Sequence, residues 1–144
     1  MIHRDIRYQA ALVKDHSVLL ARMRMPDGRT FWMPPGGGRE GDESPIEAVR
    51  REILEETNLE ITVERLLFIE LDIPGGVYDY LHTYLCHLVS GTPEVGVEPE
   101  AEFLPIPTID QLAWFNLKDP ASWLDHPEMD PPVHSWLDRL AGLL

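Results

Sequence analysis

The succession of apolar and polar positions predicts a chain made mostly of short strands. Ile6 to Val13 and Ser17 to Arg24 form two strands joined by the polar turn Lys14-Asp15-His16. Pro26-Asp27-Gly28 is a further turn, followed by a short strand at Thr30 to Met33. Downstream, Ile61 to Ile73 and Val77 to Val89 are strands around Pro74-Gly75-Gly76, and Ser90 to Glu100 is a loop. After Phe103 to Ile106, Thr108 and Gln111 stand at capping-box spacing and predict a short helix through Leu112 to Phe115. Pro131 to Leu144 carries Val133, Trp136, Leu137, Leu140 and Leu144 on one side, which predicts a helix packed on the core. Strands with interspersed helices imply a mixed α/β or α+β sandwich. With 144 residues and no repeat or linker, one domain over 1–144 is expected.

Two segments fall outside this pattern. Pro34-Pro35-Gly36-Gly37-Gly38 places three glycines in a row, which costs backbone entropy but allows close approach of the main chain to a ligand. A helix follows, with Ser44 as N-cap, Pro45 in the first turn and a stop at Asn58. Ile46, Val49 and Ile53 recur at helical spacing as its buried face. At roughly 100° per residue Glu52, Glu55 and Glu56 share the adjoining face, and Ala48 falls among them, small enough to leave room in front. Glutamates are good helix formers and commonly just face solvent. Here no lysine interrupts them, and like charges at these spacings repel. Clustered hard oxygen donors beside a glycine loop suit Mg²⁺, or Mn²⁺ in its place, and do not suit zinc.

Charge sharpens this picture. Twelve Lys and Arg against twenty-five Asp and Glu give a formal net charge of −13. A surface that acidic argues against nucleic acid polymers and anionic membranes as partners. A phosphate-bearing substrate would need a cation in order to approach. Apolar runs such as Ala10 to Val13 and Ser17 to Ala21 are too short to span a bilayer, and Met1 to Asp5 lacks the apolar stretch of a secretory signal. With the single cysteine Cys86, these features lead to the expectation of a cytoplasmic protein, monomer or homodimer.

Gly37, Glu43, Arg51-Glu52-Ile53, Glu55-Glu56 and Asn58-Leu59 together resemble the Nudix box, G-x5-E-x7-R-E-U-x-E-E-x-G-U, in which U is a bulky apolar residue. Every spacing fits. Asn58 stands where the family has glycine, a mild change because asparagine also tolerates a left-handed cap. The resemblance implies a Nudix fold, a mixed sheet sandwiched between helices with the box as loop–helix–loop. It implies a Nudix hydrolase that cleaves a diphosphate linkage in a nucleoside diphosphate derivative with Mg²⁺. In that scheme Glu52, Glu55 and Glu56 hold the metal, helped by the carbonyl of Gly36 or Gly37, and Glu52 is alternatively the base. Glu43 and Arg51 pair to hold the loop to the helix. Glu100 or Glu102, ahead of Glu98, completes the site from a later loop; solvated loop acids are the plain alternative. The cations would neutralise the diphosphate, lower the pKa of a bound water and stabilise the leaving phosphate.

The substrate is less legible. A proline about fifteen residues past the box resembles the ADP-ribose pyrophosphatase subgroup, and Pro74 stands there, though any strand turn would use it. ADP-ribose or nucleotide-sugar substrates come first and nucleoside triphosphates close behind. Arg22 and Arg24 share one strand face as candidates for a substrate phosphate, or as ordinary surface arginines. Trp32, Tyr78, Tyr80, Trp114 and Phe115 could include a base-stacking residue, but as a class such aromatics are more often core, and none is assigned to the site. His82 and His87, five apart in a strand, face opposite ways and share no metal. The rival function is a non-catalytic Nudix-like nucleotide sensor, although such modules usually lose the box glutamates that are all present here.

Overall fold

The computed structural model describes residues 4–72, 77–96, 107–126 and 129–144. Strand β1 (Arg4–Lys14) turns into β2 (Ser17–Arg24) through Asp15 and His16 alone. Both have positive φ, 50° and 64°, the mirror-type turn whose twist suits a two-residue hairpin. β1 and β2 pair only at Val13–Val18 and Lys14–Ser17. Beyond that their facing edges take other strands: β4 (Gly36–Gly37) pairs with β1, and β3 (Thr30–Met33) pairs with β2. On its other edge β1 runs parallel to β6 (Tyr78–Ser90), which is antiparallel to β5 (Glu60–Leu71). β7 (Thr108–Asn116) pairs with β2. The order β3-β2-β1-β6-β5 is therefore a mixed sheet, as expected.

One helix covers each face. Ala10 and Leu12 of β1 point, with Tyr84 and Cys86 of β6, at α1 (Pro45–Thr57), where Ala48, Val49 and Ile53 meet them. Ala11 points the opposite way, into a cluster of Trp32, Phe68, Phe115 and Trp123 closed by α2 (Pro131–Leu143) through Val133, Trp136, Leu137 and Leu140. This is the period-two alternation of a strand buried on both sides. Asp130 caps α2 by accepting the Val133 N–H, and a 3-10 helix (Pro120–Asp125) inserts Trp123 beneath it.

Three expectations need correction. Leu112 to Phe115 lie in β7 and not in a helix. Its side chains alternate, Leu112 and Trp114 toward the α1 cluster and Ala113 and Phe115 toward the α2 cluster, and β2 pairs with it from Thr108 to Asn116. A local capping signal over so few residues loses to that pairing. Ile46 is 47% exposed, because it lies in the first turn and the buried stripe begins at Ala48 and Val49. Leu144 follows the last turn of α2 and is half exposed. Pro74, Glu98, Glu100, Glu102 and Phe103 to Ile106 lie outside the described residues.

Candidate active site

The site is built where β4 crosses from β1 to the start of the loop that feeds α1. Gly36 and Gly37 pair with Gln9 and Tyr8, and Ala10 N–H donates to the Pro35 carbonyl at 2.9 Å. The stretch expected as free loop is thus pinned to the sheet edge. A Cβ on Gly36 would strike the Tyr8 carbonyl and the Gln9 backbone, and one on Gly37 would strike the Glu52 carboxylate. Gly36 requires glycine because the β1 backbone approaches it, whereas a side chain at Gly37 would displace the Glu52 carboxylate.

Helix α1 begins with a full capping box. The Ser44 hydroxyl accepts the Glu47 N–H at 3.1 Å and the Glu47 carboxylate accepts the Ser44 N–H at 3.2 Å. It ends at Asn58, whose φ of 60° is the left-handed cap the sequence anticipates and whose N–H donates to the Leu54 carbonyl. Between these ends the buried stripe fixes the helix roll and turns the glutamates toward the glycines.

Arg51 organises the junction. Its guanidinium donates to both Glu43 oxygens, to the Gly38 carbonyl at 3.0 Å, and through Nη1 to Glu52 at 3.1 Å and Glu55 at 3.3 Å. The Glu43–Arg51 pairing anticipated from the resemblance is therefore present in the structure. The Arg51 guanidinium holds the Glu43 carboxyl below its ordinary value, and Glu43 in turn raises the pKa of Arg51. Glu52 is pushed up by burial, with Arg51 opposing the shift and Glu55 adding to it.

The three candidate metal ligands share a face without converging. Glu55 is 54% exposed and leans on Arg51. Glu52 lies against Gly37. Glu56 is buried and accepts the Gly36 N–H at 2.9 Å. Among the described residues no three His, Cys, Asp or Glu are gathered into a ready cage. The donors nevertheless fit a hard divalent cation. They are all oxygens, they carry more negative charge than Arg51 offsets, and the missing Cβ of Gly37 leaves the main chain open toward Glu52. The Glu94 N–H donates to the Thr57 carbonyl and the Gly96 N–H to the Glu56 carbonyl, which bring the segment preceding Glu98 to the end of the same helix.

Other candidates sit elsewhere. Arg22 and Arg24 grip Asp110, each at 2.8 Å, so both are engaged within the sheet. Asp110 is the residue skipped where pairing passes from Arg22–Gln111 to Met23–Ile109, and this bulge turns its carboxylate onto the two arginines. Ala48 is fully buried against the sheet and does not stand before the carboxylates. His82 packs edge-on against Tyr8, whereas exposed His87 pairs with Glu64 at 2.9 Å, consistent with opposite faces. Sequence reasoning missed Arg7 and Gln9, buried polar residues of β1. Their signal was present, since two polar side chains two apart in an otherwise apolar strand point to a built interior site.

A family model described as the NUDIX domain matches residues 6–137. The chain belongs to the Nudix family. It is 30% identical over 124 residues to nudix hydrolase 1 of Caenorhabditis elegans, covering 82% of this chain and 31% of that protein. The chain thus spans about a third of the length of that curated relative. A MutT NUDIX hydrolase from Burkholderia pseudomallei is 31% identical, with a TM-score of 0.66 and coverage of 94% of this chain and 97% of that one. A UDP-X diphosphatase is 26% identical, with a TM-score of 0.61 and coverage of 82% and 53%. The Nudix box, Gly37 to Leu59, accordingly runs from the end of β4 through the loop and α1 to the residue after its Asn58 cap.

Proposed function

We propose that this Nudix domain hydrolyses a diphosphate linkage in a nucleoside diphosphate derivative with Mg²⁺, for which Mn²⁺ can substitute. The observation that carries the reading is the interlock of glycine loop and carboxylate helix: Glu56 holds the Gly36 N–H while Glu52 abuts Gly37. Glu52, Glu55, Glu56 and the Gly36 or Gly37 carbonyl are the residues to hold the cation, with Glu100 or Glu102 as the further ligand. When bound, the cation offsets the charge of the diphosphate and of these carboxylates and makes water acidic enough to act as nucleophile.

The chain's own groups supply the rest. Arg51 bridges Glu43, Glu52 and Glu55, so it holds the carboxylate row in register with the loop. Glu52, raised by burial, suits either a ligand or the acceptor of the attacking water's proton. A nucleotide-sugar or ADP-ribose type of substrate comes first, supported by the likeness to a UDP-X diphosphatase, with nucleoside triphosphates next. Arg22 and Arg24 move down as phosphate contacts because Asp110 occupies them. The one cysteine, Cys86, is a buried thiol and fits a reducing, cytoplasmic setting; a single domain acting as monomer or homodimer is part of the same proposal.

The test is turnover against ADP-ribose, nucleotide sugars, diadenosine polyphosphates, NADH and common and 8-oxo deoxynucleoside triphosphates, with Mg²⁺ or Mn²⁺. Cation-dependent release of two phosphate-bearing products from a nucleoside diphosphate derivative supports the proposal. Tight nucleotide binding with no cleavage anywhere in the panel favours the sensor instead.

A further inference from the structure

A buried chain of polar side chains runs from the C-terminal helix to the glycine loop. The Trp136 indole N–H of α2 donates to the Thr83 hydroxyl at 3.2 Å. The Gln9 amide donates to the same oxygen at 3.0 Å. Arg7 Nε donates to Gln9 Oε1 at 3.4 Å, and Arg7 Nη2 donates to the Pro34 carbonyl at 2.9 Å. All four side chains belong to buried residues, and Arg7 is 9% exposed.

Polar groups in an interior are retained when each finds a partner, and this chain is satisfied throughout. A neutral amide and a hydroxyl would suffice to stitch β1, β6 and α2 together. The guanidinium is the unexpected member, because its hydrogen-bond acceptors among the described residues, a carbonyl and an amide oxygen, are both neutral. A buried cation without a bonded carboxylate is costly unless negative charge lies nearby. The carboxylates of the box supply that charge, on the other side of the loop whose Pro34 carbonyl Arg7 grips. The anchored carbonyl, Pro34, is two residues ahead of Gly36, whose N–H Glu56 holds from the other side.

We propose that Arg7 is a positioning residue for the cation-binding loop, gripping Pro34 from the sheet side and backed by Gln9, Thr83 and Trp136. This rests on the proposed function and deepens it. Loop carbonyl and helix carboxylates can serve one cation only if the loop is held at a fixed height over α1. Main-chain pairing to β1 fixes residues 36 and 37, and Arg7 fixes the approach to them. The chain also makes the placement of that loop depend on α2, on the far face of the sheet.

The test is Mn²⁺ binding followed by electron paramagnetic resonance, together with the Mg²⁺ concentration giving half-maximal turnover, in the full chain. Arg7→Met is expected to weaken both by about tenfold or more. Arg7→Lys, which keeps the charge and one donor, should recover part of the loss, and Gln9→Leu should give a smaller shift in the same direction. Val133→Ala in α2 lowers the melting temperature but should leave Mn²⁺ affinity unchanged. A folded Arg7→Met protein with wild-type Mn²⁺ affinity overturns the inference, as does equal weakening by Val133→Ala at equal loss of melting temperature. If Arg7→Met does not fold, unchanged affinity in both Gln9→Leu and Arg7→Lys overturns it. A wild-type protein that binds no Mn²⁺ and cleaves nothing removes the proposed function itself, a result distinct from active wild type with unaffected variants.

Discussion

Arg51 grips Glu43 with both prongs of its guanidinium, Nε to Oε2 at 2.7 Å and Nη2 to Oε1 at 3.0 Å. The two residues lie on either side of the loop–helix junction, and the same guanidinium reaches the Gly38 carbonyl, Glu52 and Glu55. An ammonium cannot reproduce a planar fork. Arg51→Lys is expected to lower kcat by about tenfold or more, as loss of an outer-shell partner commonly does, and to lower the melting temperature. Steady-state kinetics beside a thermal melt check it; unchanged kcat would show that the fork serves folding alone.

Gly36 and Gly37 should fail in different ways when replaced by alanine. At Gly37 the added methyl meets the carboxylate of Glu52, a movable side chain, so the fold survives and Glu52 is displaced. At Gly36 it meets the Tyr8 carbonyl and Gln9 backbone, which cannot yield without opening the β1–β4 pairing. Gly37→Ala is therefore expected to lose activity at near wild-type stability, and Gly36→Ala to lose both. Urea denaturation midpoints compared with turnover distinguish them. Equal stability losses in the two variants would contradict this geometry.

Asn58 occupies the left-handed cap at φ 60°, where the family has glycine. Asn58→Gly removes the small penalty for a side chain there and should be neutral or slightly stabilising. Asn58→Ala should cost about 1 kcal/mol, since alanine lacks asparagine's tolerance of this region. Both should leave kcat unchanged. Chemical denaturation decides, and an Asn58→Ala protein as stable as Asn58→Gly would remove the argument.

Asp110 gives a pH signature. The Arg22 guanidinium, then that of Arg24, holds its carboxyl below the ordinary value of 3.8. A carboxyl lowered in the folded state binds fewer protons there than in the unfolded chain. Its stabilisation is complete above the ordinary value and disappears as pH falls through the folded one. The pair is partly solvated, so the effect should be roughly 1 kcal/mol or less. Between about pH 6 and about pH 3 the wild-type urea midpoint should fall further than that of Asp110→Asn. Equal falls would mean that the ion pair contributes nothing.

The parts legible in the sequence were those set by local rules. Ser44, Pro45 and Asn58 delimit α1 through capping and left-handed geometry, and the box spacing brings Glu43 to Arg51. Strand alternation located β1, β2, β5 and β6 closely. The parts that were not legible depend on pairing between distant segments. β7 is a strand because β2 lies beside it, a fact that the spacing of Thr108 and Gln111 cannot carry. Asp110 reaches Arg22 and Arg24 only through a bulge. Arg7 gains its meaning from Pro34, Gln9, Thr83 and Trp136, which are brought together by two strands, a helix and the link between β3 and β4.

The most direct single measurement is turnover of a nucleoside diphosphate sugar by wild type and by Glu56→Gln, each with saturating Mg²⁺ and with chelator. The substituted side chain can still accept the Gly36 N–H through its amide oxygen, so the fold and loop contact persist while one negative charge is lost. Wild type should cleave only with the cation, and Glu56→Gln should lose about a hundredfold or more in kcat at unchanged melting temperature. Cleavage that survives the chelator, or a Glu56→Gln protein as active as wild type, would contradict a cation held by the Nudix box.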